Sequence, residues 1–372
     1  MSARPLKILY LMVEDTAGTL SIFKKQHEAL GNECRYVTLF RSPEGFPRDI
    51  ELNLPLMPSS GWFKRAKSRY YDESEMYQDA PGYPPTWHPK HWSEKTFFHL
   101  RDALWKPLIQ RALEKYNLLD FDIYHLEGGH GFLRMNAWPF DELVKRGKHI
   151  LINYHGADMR TRGVFPWIDE LAEIYTTSEL DLMERHPNMD YVFLPFEVKK
   201  FEPRFELHQP LRICHATRDR YWKGSDTIIE ACEKLVKSHH IEFVLIENQP
   251  HAKALEMKAG CDIYIDQVSN LGGWGYGMNS VEALSMGLAC CTNLVPQYET
   301  FIPDHPFNNV NRETLYKELV RLVEQPDLIV KLREQGRSWV ERTHGVNAVM
   351  KSIYTLYFRE NWISELPDAF ND

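Results

Sequence analysis

The stretch from Cys261 to Asn293 reads CDIYIDQVSNLGGWGYGMNSVEALSMGLACCTN and constrains the fold more than any other segment. A short apolar strand (Ile263, Tyr264, Ile265) runs into a loop with Gly272, Gly273, Gly275 and Gly277, and a helix follows with Glu282 one turn inside it. Glycines let a ligand approach the backbone closely, and the first helical turn offers unpaired N–H groups at the positive end of the dipole. Phosphate suits such a place best. A glycine cluster alone is also the mark of a tight turn, so the surrounding sequence decides between the two.

Upstream, Leu211 to Thr217 has the character of a buried strand; Arg218, Lys223 and Gly224 follow, then an amphipathic helix with Ile228, Ile229, Cys232, Leu235 and Val236 on one face. Two cations at the carboxyl end of a strand stand where open α/β sheets bind ligands. Strands and helices alternate along the whole chain. Leu6 to Val13, Glu33 to Leu39, Asp122 to Leu126, His149 to Tyr154, Ile174 to Thr177 and Tyr191 to Leu194 read as strands, with a helix from the DTAGT loop to Leu30, where Gly31 stops it. Such alternation implies parallel sheets covered by helices on both faces. Pro195 to Pro210 has three prolines, many charges and no period, so it reads as an interdomain linker and hinge. The pattern restarts with strands near 211, 241, 261 and 288 and ends in helices over Pro326 to Val346 and Asn347 to Glu360.

Length agrees with two domains, since 372 residues exceed one ordinary core. The net charge of −8 argues against a dedicated nucleic-acid binder, while local basic patches leave contact with an anionic membrane surface open. Cys34, Cys214, Cys232, Cys261, Cys290 and Cys291 form no CxxC pair or Cys/His ligand spacing, which favours buried free thiols in a reducing compartment. The apolar run Ile8 to Val13 is too short for a signal peptide and no run would span a bilayer, so a cytoplasmic protein is expected, peripheral to the membrane at most.

The segment TRDRYWKG, with Arg218 and Lys223-Gly224, and the later run Trp274-Gly275-Tyr276-Gly277 followed by Glu282 in VEALSMG, resemble the carboxyl-terminal half of GT-B glycosyltransferases, in particular the retaining glycosyltransferase family 4. The likeness covers most of the chain loosely and these two motifs specifically. It implies two Rossmann-like, doubly wound parallel-sheet domains facing a cleft: an acceptor domain over 1–200, a nucleotide-sugar donor domain over 201–346, and a final helix over 347–372 crossing back to the first. It also implies sugar transfer from a nucleotide-sugar donor to a glycan, glycolipid or small-molecule acceptor, as in polysaccharide biosynthesis, with retention of configuration. In that scheme the departing phosphate oxygen takes the acceptor's proton.

Charge gathers on the leaving phosphates during such a transfer, and fixed cations can stabilise it. Arg218 offers a planar fork and Lys223 a point charge; as ordinary surface cations they would do neither. By resemblance Trp274, Gly275, Tyr276, Gly277 and Met278 hold the donor, and Glu282 takes the ribose hydroxyls, where its ordinary role would be to complement the helix dipole. The family has Glu at the position of Trp274, and an indole stacks on a sugar but cannot accept two hydrogen bonds. That departure keeps two alternatives open: an impaired nucleotide- or sugar-binding protein, and an epimerase or phosphorylase of the same fold. His155, opening HGADMRTRG, resembles the family's His-Gly segment near the reacting carbon, with Asp158 orienting its surroundings and Arg160 and Arg162 adding positive charge. Gly18 and Thr19, and Glu127 to His130, are further candidates for donor or acceptor contact. The Asp120-to-Asp122 pair precedes its strand, at the edge away from ligands, so no metal or other cofactor is expected.

Residues 41–97 stand apart, with Trp62, Tyr70, Tyr71, Tyr77, Tyr83, Trp87 and Trp92 among repeated prolines and little period. So many aromatics argue against disorder, and an insertion that helps form the acceptor site is the reading, beside plain structural packing.

Overall fold

Seven strands run parallel in one sheet and five in another, counted among the described residues. The computed structural model describes residues 4–15, 17–42, 45–56, 86–156, 158–271 and 273–370. Expectations resting on Trp62, Tyr70, Tyr71, Tyr77, Tyr83 and Gly272 lie outside them. The first sheet contains β1 (Lys7–Met12), β2 (Glu33–Thr38), β3 (Ile50–Glu51), β4 (Ile123–Glu127), β5 (His149–Tyr154), β6 (Ile174–Thr177) and β7 (Met189–Tyr191), in the order β3-β2-β1-β4-β5-β6-β7. The second contains β8 (Leu211–Thr217), β9 (Ile241–Glu247), β10 (Ile263–Ile265), β11 (Ala289–Thr292) and β12 (Asn308–Asn309), in the order β12-β11-β10-β8-β9.

The central strands are buried on both faces, which is why they read as continuous apolar runs rather than alternating ones. Ile8 to Leu11 of β1 pair in register with Ile123 to Leu126 of β4, and Ile263 to Ile265 of β10 with Ile213 to His215 of β8. Helices seal the sheets. In the second sheet Ile228, Cys232 and Leu235 of the Ser225–Ser238 helix and Leu315, Leu319 and Leu322 of the Leu315–Glu324 helix pack on Ile213, Ile263 and Ile265.

The chain divides into two units, 1–193 with 350–372, and 194–349. The Val346–Arg359 helix therefore begins in the second unit and ends in the first. There Tyr354 Oη lies 2.9 Å from His27 Nδ1 and accepts a 2.7 Å bond from Asn32 Nδ2, while Arg359 forks onto Asp190 at 2.8 and 2.6 Å.

Local differences from the sequence reading have physical causes. Pro195 to Pro210 packs within the second unit: Arg333, buried, donates to Arg204 O and pairs with Asp262, and Asp262 also accepts from the His208 ring at 3.0 Å. The strand placed at Tyr191 to Leu194 lies earlier, at Met189–Tyr191. A helix of 24 residues, Trp92–Lys115, with Pro107 inside it, begins within the stretch 41–97 that showed little period.

Each sheet has one place where neighbouring strands send their chains to opposite sides, between β1 and β4 in the first and between β8 and β10 in the second. Loops leaving the carboxyl ends of such strands form the usual ligand crevice of open α/β sheets.

Candidate functional site

In the second unit, β8 ends at Thr217 and Arg218 follows, exposed. Asp219 caps a short helix, Arg220–Lys223, by accepting the Tyr221 N–H at 2.9 Å. Gly224 then turns with φ +68°, and a Cβ there would lie 2.7 Å from Val268, so only glycine fits against the β10 loop. This turn brings Lys223 to that loop. Arg220 points elsewhere, forking onto Glu247 at 2.8 Å.

The β10 loop begins with Asp266, which the sequence reading did not single out. It is fully buried and anchors both sides of the crevice. Its Oδ1 accepts from Lys223 Nζ at 2.5 Å, and its Oδ2 accepts from the Gly277 N–H at 3.0 Å and the Ser280 hydroxyl at 2.6 Å. Burial alone would raise its pKa, but the Lys223 charge and these hydrogen bonds hold it at about 2. Gly277 caps the Met278–Ser285 helix, so the carboxylate sits at that helix N-terminus, where the dipole favours negative charge. Lys223 stands beside the same terminus, with Nζ 3.7 Å from where a Cβ on Gly277 would be.

The glycine loop is partly filled from within. A Cβ on Gly275 would meet the Tyr298 ring at 2.5 Å, and Gln267 Nε2 donates to Gly275 O at 2.6 Å. Gly275 is thus required by packing rather than left open for a ligand. Trp274 is half-buried, and its carbonyl accepts the Val295 N–H at 3.1 Å. Tyr276 joins a ring cluster with Tyr298, Phe307 and Trp339, and its hydroxyl lies 2.8 Å from His344 Nε2. Since His344 Nδ1 donates to Leu194 O, Nε2 accepts from Tyr276; burial keeps that imidazole neutral, with its pKa lowered to about 4.

Glu282 is buried and both its oxygens are engaged. Oε1 accepts from His251 Nε2 at 2.8 Å, and Oε2 pairs with Lys258, which is itself fully buried and also donates to Asn279 Oδ1 at 2.7 Å. Burial pushes the Glu282 carboxyl up, and the His251 bond with the Lys258 charge brings it below its ordinary pKa. Sequence reading had no signal for Lys258, an ordinary-looking helical lysine.

In the first unit, Glu127 closes β4 and His155 follows β5, which puts them side by side: His155 Nε2 donates to Glu127 Oε2 at 3.1 Å, and Asn153 donates to the same oxygen at 2.8 Å. Burial disfavours the imidazolium, yet the bond to Glu127 and its charge raise the His155 pKa to about 9. Asp158 Oδ2 accepts the His155 N–H at 3.1 Å and so fixes the loop. The other charges of HGADMRTRG are structural. Arg160 is held by Glu179 and Asp181, while Arg162 donates to Gly128 O at 2.6 Å, lies 3.2 Å from Asp158 and contacts the His130 ring. His130, pressed by burial and the neighbouring arginines, has its pKa well below the ordinary value.

Gly18, with φ +71°, precedes the Thr19–Ala29 helix, and Asp15 Oδ1 accepts its N–H at 2.7 Å. Asp15 is also new to the site. It is 2% exposed, its Oδ2 has no hydrogen-bond partner among the described residues, and burial raises its pKa, with Glu127 adding to the rise. Asp120 and Asp122 lie at the amino end of β4, where Asp120 pairs with Lys7 at 2.6 Å and Asp122 with Arg4 at 2.7 Å. All six cysteines are free and buried. Among the described residues, no helix is long and apolar enough to cross a membrane.

No protein-family model matches the chain, and no curated protein sequence matches it. Solved structures do. A sucrose-phosphate synthase from Thermosynechococcus elongatus is similar over 97% of this chain and 100% of its own, with a TM-score of 0.58 at 14% identity. The HepE protein of Anabaena, solved in complex with UDP, is similar over 95% and 100%, with 0.54 at 10% identity. A putative UDP-N-acetylglucosamine 2-epimerase from Listeria monocytogenes is similar over 98% and 99%, with 0.53 at 11% identity. The fold is therefore that of GT-B proteins, two α/β units each built on a parallel sheet.

Proposed function

We propose that the chain is a glycosyltransferase that takes a sugar from a nucleoside diphosphate sugar, with the donor's phosphates held in the second unit. The observation that carries this reading is the meeting of Lys223 with the N-terminus of the Met278–Ser285 helix at the switch point between β8 and β10. A cation beside a helix N-terminus suits a diphosphate, and Arg218 adds a second positive charge on the same loop. The solved HepE complex with UDP is consistent with such a donor.

In this reading Lys223 and Arg218 stabilise the charge that gathers on the leaving diphosphate, and Glu282 takes the ribose hydroxyls through lone pairs not used by His251 and Lys258. In the first unit, the His155 imidazolium, fixed by Glu127 and Asp158, is a further positive group. Transfer proceeds with retention and without a metal ion, to a glycan, glycolipid or small-molecule hydroxyl. The test is to supply a panel of UDP-, GDP- and ADP-sugars with and without mixed hydroxyl acceptors, in the presence of EDTA. Acceptor-dependent release of nucleoside diphosphate supports the reading; its absence for every pair contradicts it.

One observation favours a second reading. Asp15 and Glu127 are two buried carboxyl groups at the ends of adjacent strands, close enough for the Glu127 charge to act on Asp15, and Glu127 also bonds His155, an arrangement able to remove a proton and return it. A nucleotide-sugar epimerase needs such groups, and the Listeria neighbour is described as one. Isomerisation of the sugar without any acceptor would favour this alternative.

A further inference from the structure

Glu282 is held from a single helix that the sequence did not mark. β9 ends at Glu247, Asn248 turns the chain with φ +54°, a left-handed conformation in which asparagine is favoured, and Pro250 caps the His251–Ala259 helix. His251 thus stands beyond the carboxyl end of a strand of the second sheet, at the edge where open α/β sheets take ligands. Lys258 follows about two turns later and therefore lies on the same side of the helix.

The two residues grip different oxygens of one carboxylate and differ in their freedom. The Lys258 side chain is 1% exposed; its ammonium bonds Glu282 Oε2, donates to Asn279 Oδ1 at 2.7 Å and lies 5.2 Å from the centre of the Tyr264 ring. The His251 side chain is 36% exposed, with Nε2 2.8 Å from Oε1 of a carboxylate that is itself 9% exposed. Of these two partners, His251 is the one that a ligand arriving from solvent can reach.

A carboxylate accepts at about four lone-pair sites, two on each oxygen. His251 takes one on Oε1 and Lys258 one on Oε2, which leaves one on each. That remainder matches two adjacent hydroxyls, each donating to its own oxygen, as long as the carboxylate does not rotate. A ligand with one hydroxyl leaves an oxygen of a nearly buried charge unmet, which is costly. Without His251, Oε1 loses its tether and can turn toward water.

We infer that His251 is a positioning residue that holds Glu282 Oε1 for a vicinal diol, so that the second unit selects nucleotides with both ribose hydroxyls over their 2′-deoxy counterparts. This role rests on the nucleotide-sugar reading of the second unit and adds to it the group that sets the selection.

The experiment is calorimetric titration of UDP, GDP and ADP, and of the 2′-deoxy form of each, into the full wild-type chain, His251→Phe and His251→Gln. Phenylalanine keeps a ring but cannot donate, whereas the glutamine amide can donate to Oε1. The wild type should bind at least one ribonucleotide about tenfold or more tightly than its 2′-deoxy form, as expected for one hydrogen bond to a charged group. That ratio should fall to about twofold in His251→Phe and recover to about fivefold or more in His251→Gln. A histidine that merely supports the helix would weaken both forms alike. A wild type without the preference, a ratio that His251→Phe leaves unchanged, or one that His251→Gln does not restore overturns the role of His251 while nucleotide binding stands. Binding of no nucleotide to the wild type overturns both this role and the nucleotide reading.

Discussion

Lys223 Nζ lies 2.5 Å from Asp266 Oδ1, so the cation expected to meet a phosphate is paired with a carboxylate of its own unit. The same carboxylate takes the Gly277 N–H and the Ser280 hydroxyl, which ties the β8 loop to the N-terminus of the following helix. Asp266 therefore organises the crevice, and a ligand phosphate that draws on Lys223 does so beside an existing negative charge.

Asp266→Asn should destabilise the second unit by about 3 kcal/mol, because it leaves Lys223 without its partner next to a helix N-terminus. Equilibrium urea unfolding measures this. The carboxyl stays ionised down to about pH 2, below its ordinary 3.8, so its contribution is present above pH 4 and lost as pH falls through 2. A wild-type acid limb unchanged by the substitution would contradict that assignment.

His155 should titrate near pH 9 in NMR spectra of its ring, and Glu127→Gln should bring that value down by more than one unit. Its raised pKa means that the imidazolium's stabilising effect is fully present below about pH 6.5 and disappears as pH rises through 9. An ordinary titration near 6.5 in the wild type would show that the pair does not form in solution.

Glu282 and Lys258 are a buried pair, and breaking it from one side should be costly. Glu282→Gln strands the Lys258 charge and is expected to lose about 3–5 kcal/mol, whereas Glu282→Gln with Lys258→Met should recover much of that loss. Denaturant midpoints of the two single variants and the double variant give the coupling directly. Additive losses would show that the pair is not coupled.

The helix that returns to the first unit should be acid-sensitive. His27 lies 2.9 Å from both Tyr10 Oη and Tyr354 Oη, and burial lowers its pKa to about 3, so it is neutral in the fold. Unfolding lets it protonate below about pH 6.5, and stability should fall as pH drops from there toward 3. Comparing urea midpoints at pH 7.5 and 5 in wild type and His27→Gln checks this, with the smaller loss expected in the variant.

Strands buried on both faces were the most legible part of the chain. His149–Tyr154, Ile174–Thr177, Leu211–Thr217 and Ile263–Ile265 fall where their apolar runs put them, because such runs have no solvent face to blur them. The Trp92–Lys115 helix was not legible, since Leu100, Leu104 and Leu108 face outward while Phe98, Trp105 and Ile109 face inward, and Pro107 interrupts the pattern. In the candidate site, Lys223 and Glu282 could be singled out from local motifs, but their partners could not. Asp266 is 43 positions from Lys223 and Lys258 is 24 from Glu282, and pairing at that separation follows from strand order rather than from spacing. Asp15 read as the polar start of a loop, and only its burial beside Glu127 distinguishes it.

The most direct test of the account is calorimetric titration of UDP, GDP and ADP into the wild-type chain and Arg218→Ala/Lys223→Ala, in buffer without metal. The account predicts saturable binding of at least one nucleotide to the wild type and a loss of at least about tenfold in the double variant, as expected when charge-assisted phosphate contacts are removed. Binding of no nucleotide, or equal binding by both proteins, would contradict a diphosphate site at Lys223 and the helix N-terminus.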